Sequence, residues 1–303
     1  MRILRLLYLG ALLTAALYVA AGWAEAGAPQ PIAVVYSLTG ETTLALPDTP
    51  RRPLRLFDRL PAGAALEVGP SSRLALGFMN GVRYELGKGS RVTLGAKDFT
   101  SRIGPVRTLT RVPPLPRLEP IAEDDHPGSG GGAVPIRGEA IDGLYPRRGA
   151  AVLAEKAILL RFQPVSCAGK YRVEVEDSQG NVKFATETEA SEVVLPKEAL
   201  HPGQRYRWTV STVDRPGPVA RGAADLVTLS EDAAQAREKA RKTLEAEGSL
   251  SLPLLAEIDR GLGLWLEARE DLRKAIESGP ADSELREALA GIERRLEDED
   301  DPD

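Results

Sequence analysis

With a single cysteine in 303 residues, the chain cannot close an internal disulfide, so it is not a cross-linked mini-scaffold. Cys167 lies among Ser166, Ala168 and Gly169 and reads as a turn thiol with no base beside it. Histidine is almost as scarce: His126 and His201 are the only two, each next to a proline. No H-E-x-x-H, G-x-S-x-G, Walker A or paired C-x-x-C pattern occurs. The carboxylates are scattered with no spacing that nominates a general acid and base. Asp124, Asp125 and His126 are adjacent in a segment without helix or strand signals, which makes a poor preformed metal site. Gly87-Lys88-Gly89-Ser90 has two glycines of a phosphate loop, but it sits between two strands and reads as a hairpin turn. These absences lead us to expect no enzyme, no cofactor, no metal, no small-molecule substrate and no nucleic-acid partner.

There is one long apolar run. Arg2 and Arg5 precede an uncharged stretch from Leu6 to Ala24, followed by Ala24-Glu25-Ala26. A basic start, an apolar segment and an A-x-A site make a secretory signal over 1–26, cut after Ala26. The alternative is an uncleaved anchor, because the run is near bilayer length and Trp23 suits an interface. Both place the body outside the cytoplasm: periplasmic or extracellular after cleavage, or held on the inner membrane facing the periplasm. No cysteine follows the run at a lipidation position.

Length beyond what one core supports predicts several small domains. Charge is uneven along them. Residues 31–111 carry 12 Lys/Arg against 6 Asp/Glu, whereas 230–303 carry 11 against 21. Such a split concerns partners and solubility rather than fold.

From Pro31 to Arg111, short alternating segments are separated by Gly, Pro, Ser and Asn turns, the all-β pattern. Asn80-Gly81 between Phe78 and Val82 predicts a hairpin turn with positive φ at both positions. Leu60-Pro61-Ala62-Gly63-Ala64-Ala65-Leu66, Ser72-Arg73-Leu74-Ala75-Leu76, Asn80-Gly81-Val82-Arg83-Tyr84-Glu85-Leu86 and Ser90-Arg91-Val92-Thr93-Leu94 together resemble the FecR-type periplasmic domain. Signalling members of that family carry a cytoplasmic region before a membrane helix, where this chain has five residues before its apolar run. The resemblance therefore implies only the extracytoplasmic binding module.

Residues 112–143 read as a linker: Pro113-Pro114-Leu115-Pro116 is stiff and extended, and Gly128-Ser129-Gly130-Gly131-Gly132 is a tether. Residues 144–229 return to alternation in Tyr171–Glu176 and Arg205–Val210, with Ser178-Gln179-Gly180-Asn181 as a hairpin turn. Leu200-His201-Pro202-Gly203-Gln204-Arg205-Tyr206-Arg207-Trp208-Thr209-Val210 resembles the corner motif of fibronectin type III and Ig-like sandwiches. That resemblance implies that Tyr206 hydrogen-bonds back to the backbone; Trp208 is expected to pack inward.

Residues 230–296 are helical. Ser230 is the N-cap of Glu231–Glu247, and helices follow over 252–262, 264–278 and 282–296. Gly263-Leu264-Trp265-Leu266-Glu267-Ala268 with Leu272, Ala275 and Pro280 resembles half of a tetratricopeptide repeat, fewer units than a stacked array needs. An acidic tail, 297–303, closes the chain.

The expected fold class is thus multi-domain and mainly β, with a small all-α C-terminal domain. The expected role is a non-enzymatic, exported envelope protein that binds or scaffolds, with an envelope protein as partner. The alternatives are an accessory of FecR-type surface signalling, or attachment to anionic wall polymer or lipopolysaccharide. For an anionic partner the candidate residues are Arg51, Arg52, Arg55 and Arg59, four cations in one short segment.

Overall fold

The computed structural model describes residues 30–47, 49–114, 140–147, 150–166, 168–197, 199–213, 219–248, 251–278 and 283–297. The signal or anchor, the Asp124-Asp125-His126 cluster, Cys167, most of the linker and residues 298–303 lie outside them.

Ten strands build the first unit: β1 (Pro31–Thr39), β2 (Thr42–Ala45), β3 (Arg52–Pro53), β4 (Arg59–Pro61), β5 (Ala65–Val68), β6 (Arg73–Phe78), β7 (Arg83–Leu86), β8 (Arg91–Leu94), β9 (Phe99–Ile103) and β10 (Val106–Leu109). They form two antiparallel sheets, ordered β10-β7-β6-β1-β4 and β3-β2-β5-β8-β9. Alternation sets the facing side. Leu66, Val92 and Leu94 point inward, while Glu67, Arg91 and Thr93 point away. Strand β1 departs from alternation, because Ala33, Val34, Val35 and Tyr36 are all buried. Ala33 and Val35 face the other sheet, and Val34 and Tyr36 face the helices. A strand covered on both sides reads as a continuous apolar run.

Two turns differ from expectation. At Asn80-Gly81 only the glycine has positive φ, 85°. Gly81 N donates to Phe78 O (2.9 Å) and Phe78 N to Val82 O (2.7 Å), while the Asn80 side chain accepts from Val82 N (3.0 Å). This is a longer loop ending in a left-handed glycine, so Asn80 serves through its side chain rather than its φ. The Gly87–Ser90 segment is not a hairpin turn: β7 belongs to one sheet and β8 to the other, so it crosses between layers. Ser90 is fully buried at that corner and donates to Pro105 O (2.8 Å).

The second unit begins at Ala140, which bridges to Arg221, and Ile141 already lies in its core. That is four residues before the expected start at Leu144. Its strands are β11 (Ala151–Val152), β12 (Ile158–Arg161), β13 (Tyr171–Asp177), β14 (Val182–Thr188), β15 (Glu192–Leu195), β16 (Arg205–Thr212) and β17 (Arg221–Thr228). The order β11-β17-β16-β13-β14 opposes the pair β12-β15, an Ig-like β sandwich. Tyr171, Val173, Val175, Tyr206, Trp208 and Val210 fill it. Trp208 is fully buried and donates through Nε1 to Pro146 O (2.6 Å). Tyr206 Oη accepts from His201 N (2.7 Å), the tyrosine corner that the sequence motif implied.

Four helices follow among the described residues: α1 (Glu231–Glu245), α2 (Leu252–Gly261), α3 (Trp265–Ser278) and α4 (Ser283–Glu297). Ser230 Oγ accepts from Ala233 N (3.3 Å), and Glu231 and Asp232 sit in the first turn, where the helix dipole favours them. Helix α2 ends with Leu264 N donating to Asp259 O (2.8 Å) and Gly263 N to Arg260 O (3.1 Å), with Gly263 at φ 74°. This left-handed glycine cap folds α3 back on α2, and buried Ala268 and Ala275 let the helices approach.

Between α1, α2 and α3 lies an ionic cluster. Arg237 forks onto Asp259 (2.6 and 2.7 Å), and Arg241 reaches Asp259 (3.0 Å) and Asp271 (2.6 Å). Arg237, Asp259 and Asp271 are buried, so each charge depends on the others. Burial raises the Asp271 carboxyl, a push that the Arg241 guanidinium opposes.

Candidate functional site

Of the four candidate arginines, Arg51 directly precedes β3, Arg52 lies on β3, Arg55 in the loop that follows and Arg59 on β4. Leu54 turns into the core, and Phe57, at φ 64°, is the non-glycine residue held in the left-handed region among the described residues. Phe57 N donating to Val35 O (2.8 Å) and Val35 N to Asp58 O (3.1 Å) fix that backbone. Such a conformation costs about 1–2 kcal/mol for a residue with a Cβ, and it throws Leu56 and Phe57 onto the helices. Leu56 N also donates to the Glu284 carboxylate at the start of α4.

The loop disperses the arginines. Arg52 forks onto Asp58 (2.8 and 3.0 Å), which also accepts from Arg55 N (2.9 Å). Arg59 reaches Glu257 of α2 (2.8 Å), which Arg260 also holds (2.7 Å). Arg51 lies 3.7 Å from Glu67, on the outer face of the second sheet. The Arg55 side chain is exposed, with no hydrogen bond or ion pair among the described residues. The four therefore do not converge, and two of them are engaged by carboxylates of their own loop or of α2.

Arginine instead recurs on the sheets as two triads. Glu67 lies between Arg51 and Arg91 (2.7 Å), and Glu85 between Arg73 and Arg107 (3.2 Å each). The four guanidinium side chains remain 67–75% exposed, so each triad presents one surplus positive charge to solvent.

A deeper arginine holds the units together. Arg83 of β7 is completely buried and forks onto Glu247, just beyond α1, at 2.6 and 2.8 Å; its Nε donates to Thr110 O (2.8 Å). Burial pushes the Glu247 carboxyl up, but the hydrogen bond and charge of Arg83 outweigh it and hold the group below the ordinary glutamate range. Neighbouring Tyr36 is pushed up to about 12, mainly by burial. Around this pair one apolar cluster draws on all three units. Val34, Tyr36 and Val112 come from the first, Ala151, Leu153 and Leu229 from the sandwich, and Leu244, Leu254 and Leu264 from the helices. Ala151 N donates to Gly263 O (2.9 Å), tying β11 to the α2–α3 turn. A cleft of about 380 Å³ remains between the first sheet and α2, walled by Val34, Phe78, Leu254 and Ile258.

Glu247, Glu257 and Glu284, which the sequence did not nominate, are thus partners of the basic first unit. The signal for them was present in the opposite charge of residues 31–111 and 230–303. No group of three or more His, Cys, Asp or Glu side chains at metal-binding distance occurs among the described residues. Nor is any described helix long and apolar enough to cross a membrane.

No protein-family model and no curated protein matches the chain. Among solved structures, it is similar to the fn3 domain of human collagen alpha-1(XX), at 20% identity over 34% of this chain and 95% of that one, TM-score 0.25. It is also similar to the FN1–FN3 domains of chicken CNTN1, at 11% identity over 66% and 55%, TM-score 0.25. A two-domain fibronectin type III segment of chicken tenascin is similar at 12% identity over 67% and 95%, TM-score 0.24. With scores this low, the sandwich assignment rests on strand order and the Tyr206 corner.

Proposed function

We propose that the chain is a non-enzymatic, exported envelope protein that works as a binding platform, with a FecR-like β unit, a fibronectin-like sandwich and tetratricopeptide-like helices. The observation that carries this reading is the shared apolar cluster, which joins the three units into one body. A common core fixes the angles between units, and fixed angles let separate surfaces engage one partner together. Preorganisation of this kind lowers the ordering cost of binding. The partner expected is another envelope protein. Photo-crosslinkers placed singly on β9, β14 and α4 in living cells test this. Discrete adducts with the same envelope protein from more than one unit support a platform; adducts from one unit only would reduce it to a single binding module. Intact mass of the recovered chain tests export, with Gly27 expected as the first residue.

The two arginine triads and the exposed Arg55 favour a second reading, attachment to anionic wall polymer or lipopolysaccharide. Sedimentation with each polymer across a salt series decides it. Exposed charges are screened beyond a Debye length of about 8 Å at physiological salt, so binding should fall as salt rises. Binding indifferent to salt counts against the triads.

A further inference from the structure

Glycine is a costly choice inside a strand or helix unless the backbone or a neighbour demands it. The described glycines of the first unit meet that condition with one exception: five hold positive φ, and three would place a Cβ 2.7–3.0 Å from another atom. The exception is Gly77 on β6. It has no positive φ, and a Cβ there would make ordinary contacts, 3.7 Å from Arg83 Cγ and 3.8 Å from Leu254 Cδ1 and from Tyr36. Gly261, in the last turn of α2, is helical, and a Cβ on it would meet nothing within 4 Å. Both line the cleft between the first sheet and α2. A strand glycine that its own chain does not require marks a place where a ligand or another backbone comes close.

The cleft is a trough. Its floor crosses the adjacent strands β7, β6, β1 and β4, a span of roughly 14 Å at about 4.8 Å per strand. Leu254, Glu257, Ile258 and Gly261, spaced along one face of α2, roof it. Val34, Leu254 and Ile258 make its walls apolar. Met79 stands at the rim, 41% exposed, and its unbranched thioether adapts to what enters. A mostly apolar concavity of about 380 Å³ with few polar groups has the size and character of a small-molecule site.

The unbalanced charge of the lining lies at the β4 end. Glu257 is the acidic residue that lines the trough among the described residues. Arg59 and Arg260 both bind it and both remain partly exposed, so the three groups carry one surplus positive charge. Arg59 uses Nε and Nη2 on Glu257 (3.2 and 2.8 Å), which leaves Nη1 without a partner among the described residues. The other charges around this end cancel. Arg83 lies on Glu247 and Arg52 on Asp58, and exposed Arg55 is offset by Glu284, whose carboxylate accepts from Leu56 N. Near the far end Arg111, on Asn80 O (3.0 Å), is a further cation.

We propose that the trough binds a single-chain amphiphile with a carboxylate head. Its hydrocarbon chain lies under α2 across Gly77, and its head sits on Arg59 at the β4 end. The apolar body takes the space that the two glycines leave unfilled, and one negative charge matches the one surplus cation. A guanidinium holds a carboxylate through charge-assisted hydrogen bonds, stronger than neutral ones. This site does not depend on the platform reading.

Calorimetric titration of the chain recovered from cells with decanoate, below its micelle concentration, tests the site. Saturable binding at one molecule per chain is expected, weaker for decanol and absent for decyltrimethylammonium. Arg59→Ala should weaken decanoate about tenfold, the loss of a hydrogen bond to a charged group, and leave decanol unchanged. Gly261→Leu puts a side chain into the open part of the trough and should abolish binding of both. Its denaturant midpoint should hold or rise, because leucine favours a helix over glycine. A second measurement needs no variant. Decanoate with a diazirine at its methyl end should, on irradiation, label the segments around Met79 and Pro113, at the end away from Arg59. The proposal is overturned if decanoate does not bind, binds no better than decyltrimethylammonium, binds undiminished to Gly261→Leu, or labels other segments. None of these outcomes bears on the crosslinks expected of a platform.

Discussion

Replacing Glu247 with alanine isolates the buried ion pair that ties the first unit to the helices. The guanidinium of Arg83 has no solvent exposure, and Glu247 neutralises it through two hydrogen bonds. Breaking a buried pair by removing one partner costs about 3–5 kcal/mol, because the remaining charge stays buried without compensation. Here Arg83 keeps its bond to Thr110 O, and Glu247 is 28% exposed. Both moderate the loss, so about 3 kcal/mol is expected. Changing Arg83→Met together with Glu247→Leu removes both charges and should stay within about 1 kcal/mol of wild type. Denaturant unfolding followed by helix ellipticity and by Trp208 fluorescence, in a Trp265→Phe background, provides the assay. In wild type the two probes should coincide; in Glu247→Ala the helical signal should be lost first. A cost below about 1 kcal/mol, the range of exposed ion pairs, would refute the reasoning. So would an equal cost when Arg83 is already methionine. The sign with pH follows from the same pair. The folded Glu247 carboxyl titrates below its ordinary 4.5, so its stabilising contribution is complete above that value and is lost as pH falls through the folded one. Wild type should therefore lose more stability on acidification than Glu247→Gln.

Two further predictions concern single positions. Tyr206→Phe removes the buried hydroxyl that accepts from His201 N and should cost about 1–2 kcal/mol, read as a lower denaturant midpoint; an unchanged midpoint would remove the corner from the account. Gly81→Ala places a Cβ 1.9 Å from Val112 O at φ 85°, so strain plus displacement of the Val112 segment should cost at least about 2 kcal/mol, seen as faster hydrogen exchange at Val112 N–H.

Local chemistry made much of this fold readable. Alternation over Tyr171–Glu176 and Arg205–Val210 located the strands Tyr171–Asp177 and Arg205–Thr212, Ser230 marked the first helix, and the Leu200–Val210 motif placed both the corner tyrosine and the inward tryptophan. What was not readable depends on partners far along the chain. Nothing near Arg83 distinguishes it from its solvated neighbours Arg73 and Arg91, because its burial is made by a glutamate 164 residues later. For the same reason Arg59 reads as a free surface charge until α2 is brought against it. The turn at Asn80 and the crossing at Gly87–Ser90 differ from the sequence expectation on another ground: dipeptide chemistry gives a bend, but the pairing of the flanking strands decides which bend.

The two-sided burial of β1 also has a consequence for synthesis. Val34 and Tyr36 leave the ribosome early, whereas Leu254, Ile258 and Leu262, which cover them, are made more than two hundred residues later. At about 5–20 residues per second the first unit waits on the order of ten seconds or more with one apolar sheet face bare. Any holding factor that binds the nascent chain has its target there, and chains truncated before α2 should aggregate through it.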